Sequence, residues 1–580
     1  MTNLRRIARA CLAAAVLAAA PPALAGLKVT VNGVEGSERD NVEARLSILA
    51  YADEDGEDEA EIRRLHRRAE GDIRGALEAY GYYSPRVRGR LTGAGRKWAA
   101  VYDVEAGDPT QLGTVRVELD GEGHEFPALT RAVADSELRP GRRLQHAQYE
   151  ATKAALARAA FDNGFLDARF TTHVLRVDPA QRRADVDLRL ATGPRYYFGE
   201  VEVAQEGLDP EFIRRYVPIR PGDFFEPAKL LQAQFVLSDL GYFATVEVQP
   251  HRERAVDRRV PVTIATTPRP PRRYDIGLGY GTDTGARLTL GAEFRRLTDS
   301  GHRLRTDLRV SEIKNSIGAD YRIPLGTRAG ESLGFATGYT DEKVGDGYSR
   351  AYDFTITLSR VPGDWQRQLY LKHRYEQSFV PDTGLDSAKL VLPGLTLTRG
   401  ELDNAIHARL GWSLFLDVHG GHEAIVSDVT FAQGRALLRG ALPLGERARF
   451  LMRAEFGGSL IDEFRELPVS QRFFAGGDQS VRGYAYQSLG PSDSDGNIIG
   501  GEYLTTYSAE AEYRIWGNWG AAAFFDLGGA DDDPNPPLSR GVGAGLRYRA
   551  PVGMLQLDLA HPLDGDERGI RPHIGIRVGL

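Results

Sequence analysis

The sequence predicts two structural classes in one chain: a series of three small α+β domains, followed by an all-β transmembrane barrel of about sixteen antiparallel strands. Two observations lead to this prediction. Residues 27–268 contain three similar phrases about 80 residues apart, each joining helical and strand-like segments. From residue 274 onward there is no convincing long helix, and short segments that alternate apolar and polar residues follow one another. We therefore expect the barrel to occupy residues 274–580.

The first 25 residues predict a secretory signal peptide. Three arginines precede an apolar run from Ala10 to Ala20, and Ala23-Leu24-Ala25 supplies a small-x-small cleavage site. The single cysteine, Cys11, lies in this segment. The mature chain is therefore expected to contain no disulfide and no cysteine-ligated metal.

Composition and motifs exclude several functional classes. With 73 basic and 80 acidic residues, the formal charge of −7 argues against nucleic-acid binding. After the leader, no stretch approaches the ~18 consecutive apolar residues of a spanning helix. The sequence has no Gly-x-Ser-x-Gly elbow, no His-Glu-x-x-His, no P-loop and no Cys/His cluster. We therefore expect no enzyme, no catalytic residue, no cofactor and no metal.

The N-terminal repeat centres on a glycine followed by an aromatic or apolar pair. The phrases are Tyr80-Gly81-Tyr82, Asn163-Gly164-Phe165 and Leu240-Gly241-Tyr242. A glycine directly after a helix supplies the left-handed residue that ends it. Each unit is predicted to run strand, helix, helix, strand, strand. This arrangement resembles the polypeptide-transport-associated (POTRA) domain, with three copies at 27–106, 107–192 and 193–268.

Two roles remain open for these domains. They could act only as spacers between other parts of the molecule. Alternatively, small open sheets offer exposed edges to an incoming strand, which is β-augmentation.

The C-terminal half is predicted to be the barrel. Its first segments are Tyr274–Tyr280, Ala286–Phe294, His302–Val310, Ser332–Tyr339, Tyr352–Leu358 and Gln368–Tyr375. A bilayer-spanning strand needs ~9–11 tilted residues, which these segments and their successors supply. A soluble β-sandwich is the alternative, but sandwiches seldom need so many strands.

The final residues resemble the β-signal by which outer-membrane barrels are recognised. His573, Gly575, Val578 and Leu580 occupy its polar, glycine and apolar positions, with Leu580 in place of the usual aromatic. The resemblance implies insertion into the outer membrane. It also suggests a lateral gate, because the closing strand, about Pro572–Leu580, contains glycines that lack side chains to pack against the first strand.

The segment from Arg472 to Gly490 is too long and too rich in glycine and serine for a strand. It resembles the Val-Arg-Gly-Tyr loop of the outer-membrane assembly-factor superfamily, which includes BamA, TamA and the two-partner secretion transporters. In that family the loop folds into the barrel lumen, which here implies a lumen loop over residues 462–500. The matching residues are Gly476, Gly477, Val481, Arg482, Gly483 and Tyr484.

A buried guanidinium needs carboxylate partners, because an unpaired one is costly to desolvate. The resemblance supplies two candidates for Arg482. One is Asp526, in an aromatic-x-Asp-x-Gly motif with Phe524 and Gly528. The other is Glu512, on the preceding strand. Alternation allows these acids to face the lumen. The alternative is that they merely line a wet lumen.

Three POTRA domains and about sixteen strands resemble the TamA family, the outer-membrane subunit of the translocation and assembly module. The resemblance implies insertion or secretion of autotransporter-type barrels into the lipid bilayer. The implied partners are a TamB-like, inner-membrane-anchored protein and client outer-membrane β-barrel proteins, with the POTRA domains in the periplasm. The alternative is a passive polypeptide or solute pore of the two-partner secretion type.

Overall fold

The computed structural model describes residues 26–53, 58–95, 97–281, 285–326, 328–381, 384–551, 553–565 and 569–577. The predicted leader, residues 1–25, lies outside the described residues. Val578 and Leu580 of the predicted β-signal also lie outside them. The leader and these two positions therefore remain predictions.

The first small domain packs three helices on a three-stranded sheet. Its strands are β1 (Gly26–Asn32), β2 (Arg86–Ala94) and β3 (Lys97–Glu105), and its helices are α1 (Gly36–Arg45), α2 (Ser47–Asp53) and α3 (Glu59–Glu78). The order is β1-β3-β2, with β1 parallel to β3 and β2 antiparallel. The expected pattern of two helices is wrong for this domain, because the first helical stretch breaks at Leu46.

Alternating burial explains how this domain folds. Inward residues of β3, including Trp98 and Tyr102, form a core with the apolar stripe of α3. On that helix Ile62, Leu65 and Ile73 recur at helical spacing and are buried. The result is an apolar core formed by one face of a helix and one face of a sheet.

The next two domains repeat this plan with two helices each. The second contains β4 (Gln111–Asp120), α4 (Pro127–Ala134), α5 (His146–Asp162), β5 (Arg169–Asp178) and β6 (Arg183–Ala191). The third contains β7 (Tyr197–Ala204), α6 (Pro210–Arg214), α7 (Pro227–Asp239), β8 (Phe243–Pro250) and β9 (Arg259–Pro268). Their strand orders are β4-β6-β5 and β7-β9-β8.

Glycine occurs at the repeated position for two structural reasons. Gly81 and Gly164 have φ values of +87° and +86°, which favour glycine. A Cβ at Gly81 would lie 2.6 Å from the Leu144 carbonyl oxygen, and one at Gly164 would lie 2.6 Å from the Phe225 carbonyl oxygen. The glycine therefore ends a helix and also lets the backbone approach a carbonyl farther along the chain.

The C-terminal region is one antiparallel sheet of sixteen strands, which confirms the predicted fold class. Its strands follow one another in chain order. They are β10 (Arg272–Gly281), β11 (Gly285–Phe294), β12 (Arg303–Ser311), β13 (Lys314–Pro324), β14 (Ser332–Val344), β15 (Gly347–Arg360), β16 (Gln366–Val380), β17 (Gly384–Leu402), β18 (Gly411–Gly421), β19 (Phe431–Leu444), β20 (Ala448–Ile461), β21 (Tyr503–Trp516), β22 (Trp519–Asp531), β23 (Ser539–Ala550), β24 (Gly553–Pro562) and β25 (Arg571–Arg577). The strands that were named from the alternation pattern did not include β13.

The outward face of the barrel is apolar. In β10, Tyr274, Ile276 and Leu278 are 66%, 77% and 80% exposed, while the residues between them face inward. An apolar outer face with a polar interior is the pattern of a transmembrane barrel. Among the described residues, no helix combines the length and apolar character that crossing a membrane needs.

The two end strands of the sheet, β10 and β25, lie against one another. Within the described ranges, however, no backbone register joins them, and the sheet order runs from β10 at one edge to β25 at the other. The described part of the closing strand, Arg571–Arg577, is shorter than the predicted Pro572–Leu580. We call the boundary between β10 and β25 the seam.

Candidate functional site: a loop held by charges inside the barrel

The lumen loop connects β20 to β21 and spans residues 462–502. Short antiparallel bridges give it an internal framework, among them Phe473 with Gly501 and Ala475 with Leu489. Many of its side chains are buried, and its polar groups contact inward-facing residues of β21, β22, β24 and β25. The loop therefore lies inside the barrel.

Arg482 is the centre of these contacts and is 6% exposed. Its guanidinium binds Asp526 through two hydrogen bonds, Nε to Oδ2 at 2.7 Å and Nη2 to Oδ1 at 3.0 Å. The Arg482 backbone N–H also donates to Asp526, at 3.1 Å. The guanidinium carbon lies 3.4 Å from the centre of the Phe524 ring. Alternation along β22 places Phe524 and Asp526 on the same inward face.

Two further carboxylates bind Arg482, whose Nη2 also lies 3.3 Å from Ser508 Oγ. Its Nη1 lies 2.7 Å from Glu510 Oε2 on β21 and 3.1 Å from Asp558 Oδ2 on β24. Sequence reasoning missed both residues. Each stands in an alternating stretch, so the strand pattern could have predicted its inward face, but not its height along the barrel.

Glu512 is not a partner of Arg482, and this prediction was wrong. Glu512 accepts a hydrogen bond from Arg449 Nε at 2.6 Å and lies 3.3 Å from Arg577 and 3.6 Å from Arg547. It shares its face with Glu510, but two residues along a strand are about 7 Å apart. Its carboxylate therefore meets a different set of arginines.

These groups form one connected set, which we call the lumen charge network. Arg547, 2% exposed, links the Arg482 group to the Glu512 group: it binds Glu510 at 2.9 Å and also Asp558, and its Nε lies 3.6 Å from Glu512 Oε1. The network contains four positively charged and four negatively charged side chains. The network consists of Arg449, Arg482, Arg547 and Arg577 with Glu510, Glu512, Asp526 and Asp558.

The other motif residues allow the loop to approach the wall closely. A Cβ at Gly528 would lie 2.9 Å from the buried Val481 side chain. Gly483 has a φ of +102°, and a Cβ there would lie 3.0 Å from the Pro562 nitrogen. The Tyr484 hydroxyl lies 3.0 Å from the Asp564 carbonyl oxygen. In the loop framework, Gly476 and Gly477 have φ values of +100° and +99°.

The last described strand is attached to the same loop. His573 is 3% exposed, and its Nε2 accepts a hydrogen bond from the Gly483 N–H at 3.1 Å. Its Nδ1 contacts the Asp478 carboxylate. Gly575 has open space where a Cβ would stand. The side chain of one β-signal residue thus contacts the loop motif, a pairing that the sequence did not indicate.

This arrangement holds a loop segment in place through paired arginines and carboxylates. In the part of the chain that the structure describes, no three His, Cys, Asp or Glu side chains are placed to hold a metal ion. The site is therefore one that fixes a loop inside a barrel and ties β25 to it.

The fold and the site define a transmembrane barrel with small N-terminal domains and an inward loop. Residues 296–579 match the Omp85 superfamily domain. Residues 28–106 match POTRA domain TamA domain 1, and residues 196–269 match the POTRA family described as surface antigen variable number repeat. Residues 296–579 therefore carry an Omp85 superfamily domain, and residues 28–106 and 196–269 carry POTRA domains.

Similar proteins carry the name outer membrane protein assembly factor BamA. The chain is 25% identical to that of Nitratidesulfovibrio vulgaris over 388 residues, which cover 62% of this chain and 47% of the relative. It is 22% identical to that of Neorickettsia risticii over 420 residues, which cover 66% and 55%. The chain therefore spans about half the length of these relatives.

A crystal structure of Haemophilus ducreyi BamA lacking POTRA domains 1–3 has a similar fold. The TM-score is 0.64 at 17% sequence identity, over 80% of this chain and 98% of that one. At this identity the likeness supports the fold alone.

Proposed function

We propose that this protein is an outer-membrane factor that inserts or secretes client β-barrel proteins by pairing strands at the seam, with its POTRA domains in the periplasm. The observation that carries the proposal is the attachment of β25 to the buried loop beside a seam without a described backbone ladder. The loop fixes the inner side of β25 while the backbone edge stays available. An exposed edge can template a client strand without a nucleotide.

The residues at the seam suit such an edge. Gly277 and Gly279 face inward on β10, and Gly575 faces inward on β25. At these three positions the inner side of the seam carries no side chain, while His573 and Arg577 of β25 extend into the lumen and bind the loop and the charge network. Few packing contacts between the strands then oppose their separation, while apolar side chains on the outer face keep contact with lipid.

We infer that all three small domains are POTRA domains, with bounds of 27–106, 107–192 and 193–268. The middle one has the same strand order as its neighbours. In each sheet the outer positions belong to the first strand and to the strand that follows the helices. The edge strand β2 is largely exposed, which favours β-augmentation over a spacer role.

We further propose that the protein acts as a TamA-type factor on autotransporter-type clients, with a TamB-like, inner-membrane-anchored partner. The match of residues 28–106 to the TamA first POTRA domain supports this assignment. The named relatives are BamA proteins, so a BamA-type role is the competing assignment. A deletion strain would lose autotransporters selectively in the first case and barrel proteins generally in the second.

Crosslinking across the seam tests the mechanism. Cysteine pairs between residues 277–280 and 574–576 would be scanned, with Cys11 replaced by serine. For an efficiently oxidised pair, we expect loss of client assembly that reductant restores. A pair in the adjacent β24–β25 ladder, Leu557 with Ile574, is the matched control, because these residues are already in register. Undiminished assembly with a closed seam would contradict strand pairing there.

The second candidate function, a passive pore, is favoured by the internal cavity of about 750 Å³ between the loop and the seam. Planar-bilayer conductance separates the two functions. A large steady conductance in the purified protein, with normal barrel-protein levels in a deletion strain, would favour the pore.

A further inference from the structure

A second attachment of the lumen loop lies far from Arg482, at its base. The base is the short turn Val469–Gln471, which packs against the inner wall of the barrel. The Ser470 hydroxyl donates to Glu376 Oε2 at 2.6 Å, and the Gln433 side chain donates to the Gln471 carbonyl oxygen at 2.7 Å. Beyond these bonds, the Gln471 side chain meets a histidine on β18.

The hydrogen positions in this chain of contacts can be assigned from the donors available. Ser470 has one hydroxyl hydrogen, and the ionised Glu376 carboxylate takes it. The Ser470 oxygen must then accept from Gln471 Nε2, 3.2 Å away. This fixes the Gln471 amide so that its oxygen points at His419 Nε2, at 3.2 Å. Because an amide oxygen only accepts, His419 Nε2 must carry a hydrogen.

The other ring nitrogen of His419 also carries one. His419 Nδ1 lies 2.8 Å from Asp417 Oδ1. The Asp417 carboxylate also accepts from the Thr396 hydroxyl at 2.8 Å and from the Tyr370 hydroxyl at 3.1 Å. An ionised carboxylate offers only acceptors, so Nδ1 donates. With hydrogens on both nitrogens, His419 is an imidazolium.

We propose that His419 is a positioning residue that holds the base of the lumen loop in place only while it is protonated. When pH rises and the ring loses a proton, Nδ1 keeps its hydrogen toward Asp417. Nε2 then becomes an acceptor opposite the Gln471 oxygen, also an acceptor. That bond is lost, and the base is then held less tightly, by the bonds of Ser470 to Glu376 and of Gln433 to Gln471. This inference concerns loop position and holds independently of the proposed function.

The charged groups around His419 are mixed. Asp417, on the same strand, stabilises the imidazolium directly. Three basic residues line the same cavity and disfavour the positive charge of the imidazolium: Lys372 on β16, Arg435 on β19 and Arg472 of the loop. Arg435 is neutralised by Glu455 at 2.5 Å. The cavity has a volume of about 470 Å³, which is enough to bring water and protons to the ring.

The experiment measures the loop base directly in the full-length protein in liposomes. Spin labels are placed at Glu466→Cys, beside the base, and at Glu446→Cys, in the turn between β19 and β20, with Cys11 replaced by serine. Distance distributions are recorded near pH 5 and pH 9, on either side of the ordinary histidine pKa of about 6.5. We expect a narrow distribution at the lower pH and its loss at the higher pH.

Two variants sharpen the result. His419→Gln cannot be protonated and should give the broad distribution at both pH values. His422→Gln is the matched control, since the ring of this exposed histidine accepts a hydrogen bond from the nearby Ala424 N–H and lies outside the chain of contacts described above, and it should behave like the wild type. A wild-type distribution unchanged between the two pH values would overturn the proposal. So would a His419→Gln protein that still broadens as pH rises.

Discussion

The first small domain and the barrel interior are stabilised by opposite physical means. In the domain, buried apolar side chains of α3 and β3 form the core. In the barrel, the most deeply buried large side chains include Arg449 and Arg547, which bind carboxylates. An apolar core loses stability in proportion to the volume removed. A charge network fails more abruptly, since removing one arginine leaves uncompensated charge on the buried carboxylates around it.

The comparison is tested most strongly at Arg482. Arg482→Ala leaves Asp526, Glu510 and Asp558 without their shared partner and should cost about 3–5 kcal/mol. We expect loss of heat-modifiable folded barrel on gels and a lower unfolding midpoint in detergent. The matched control is Arg540→Ala, which breaks a half-exposed ion pair with Asp564 and should cost at most about 1 kcal/mol. Equal behaviour of the two variants would remove the special role of Arg482.

The apolar side of the comparison is tested at Ile73, which is fully buried on α3. Ile73→Ala should destabilise the first domain by about 2–5 kcal/mol. In urea, the domain should unfold earlier while the heat-modifiable barrel is unchanged. Arg74→Ala, which breaks an exposed ion pair with Glu70 on the same helix, is the control and should change the free energy of unfolding by only about 0.5 kcal/mol. A simultaneous loss of the barrel would show that the two regions do not unfold independently.

A backbone test separates strain from steric contact. Gly81→Ala meets both a positive φ and the Leu144 carbonyl at 2.6 Å, whereas Gly141→Ala meets a φ of +82° with open space. Strain alone costs about 1–3 kcal/mol, so Gly141→Ala should destabilise modestly and Gly81→Ala more. Thermal unfolding of the purified protein measures the difference. Identical shifts would mean that the glycine repeat serves only to end a helix.

The smallest effect is expected at an ion pair between Glu38 and Arg143, 2.8 Å apart. Burial alone would raise the pKa of Glu38, but a backbone hydrogen bond and Arg143 outweigh it and lower that pKa. The pair therefore stabilises the fold above the unfolded pKa of about 4.3 and is lost as pH falls through the lower, folded pKa. Glu38→Gln should reduce stability by about 1 kcal/mol near neutral pH and by nothing in strong acid. An equal loss of stability at both pH values would show that the charge of Glu38 does not contribute to stability.

The fold class could be predicted because each half has a local signal. The glycine repeat predicted the helices and strands of the small domains, and alternation predicted the barrel. Within the site, a motif predicted that Arg482 and Asp526 face one another, and the structure brings them together. Glu510 and Asp558 could not be predicted as partners of Arg482, because strand alternation gives the face on which a residue lies but not its height along the barrel. That height depends on the register of all the strands between.

The contact between His573 and Gly483 illustrates the same limit. The two residues are 90 positions apart, and no local pattern relates them. The motif around each was recognisable separately. Their meeting follows from the order of the strands in the sheet, which the sequence fixes only through the complete barrel.

The wide spread of the Arg482 partners has a consequence for the order of assembly. Its carboxylates lie 28, 44 and 76 residues farther along the chain, on three different strands. Closing such long loops is slow, because the entropy must be lost before any contact is gained. The loop can lock only after β21, β22 and β24 are in register. A barrel with one of these strands out of register therefore leaves buried charges of this network without their partners.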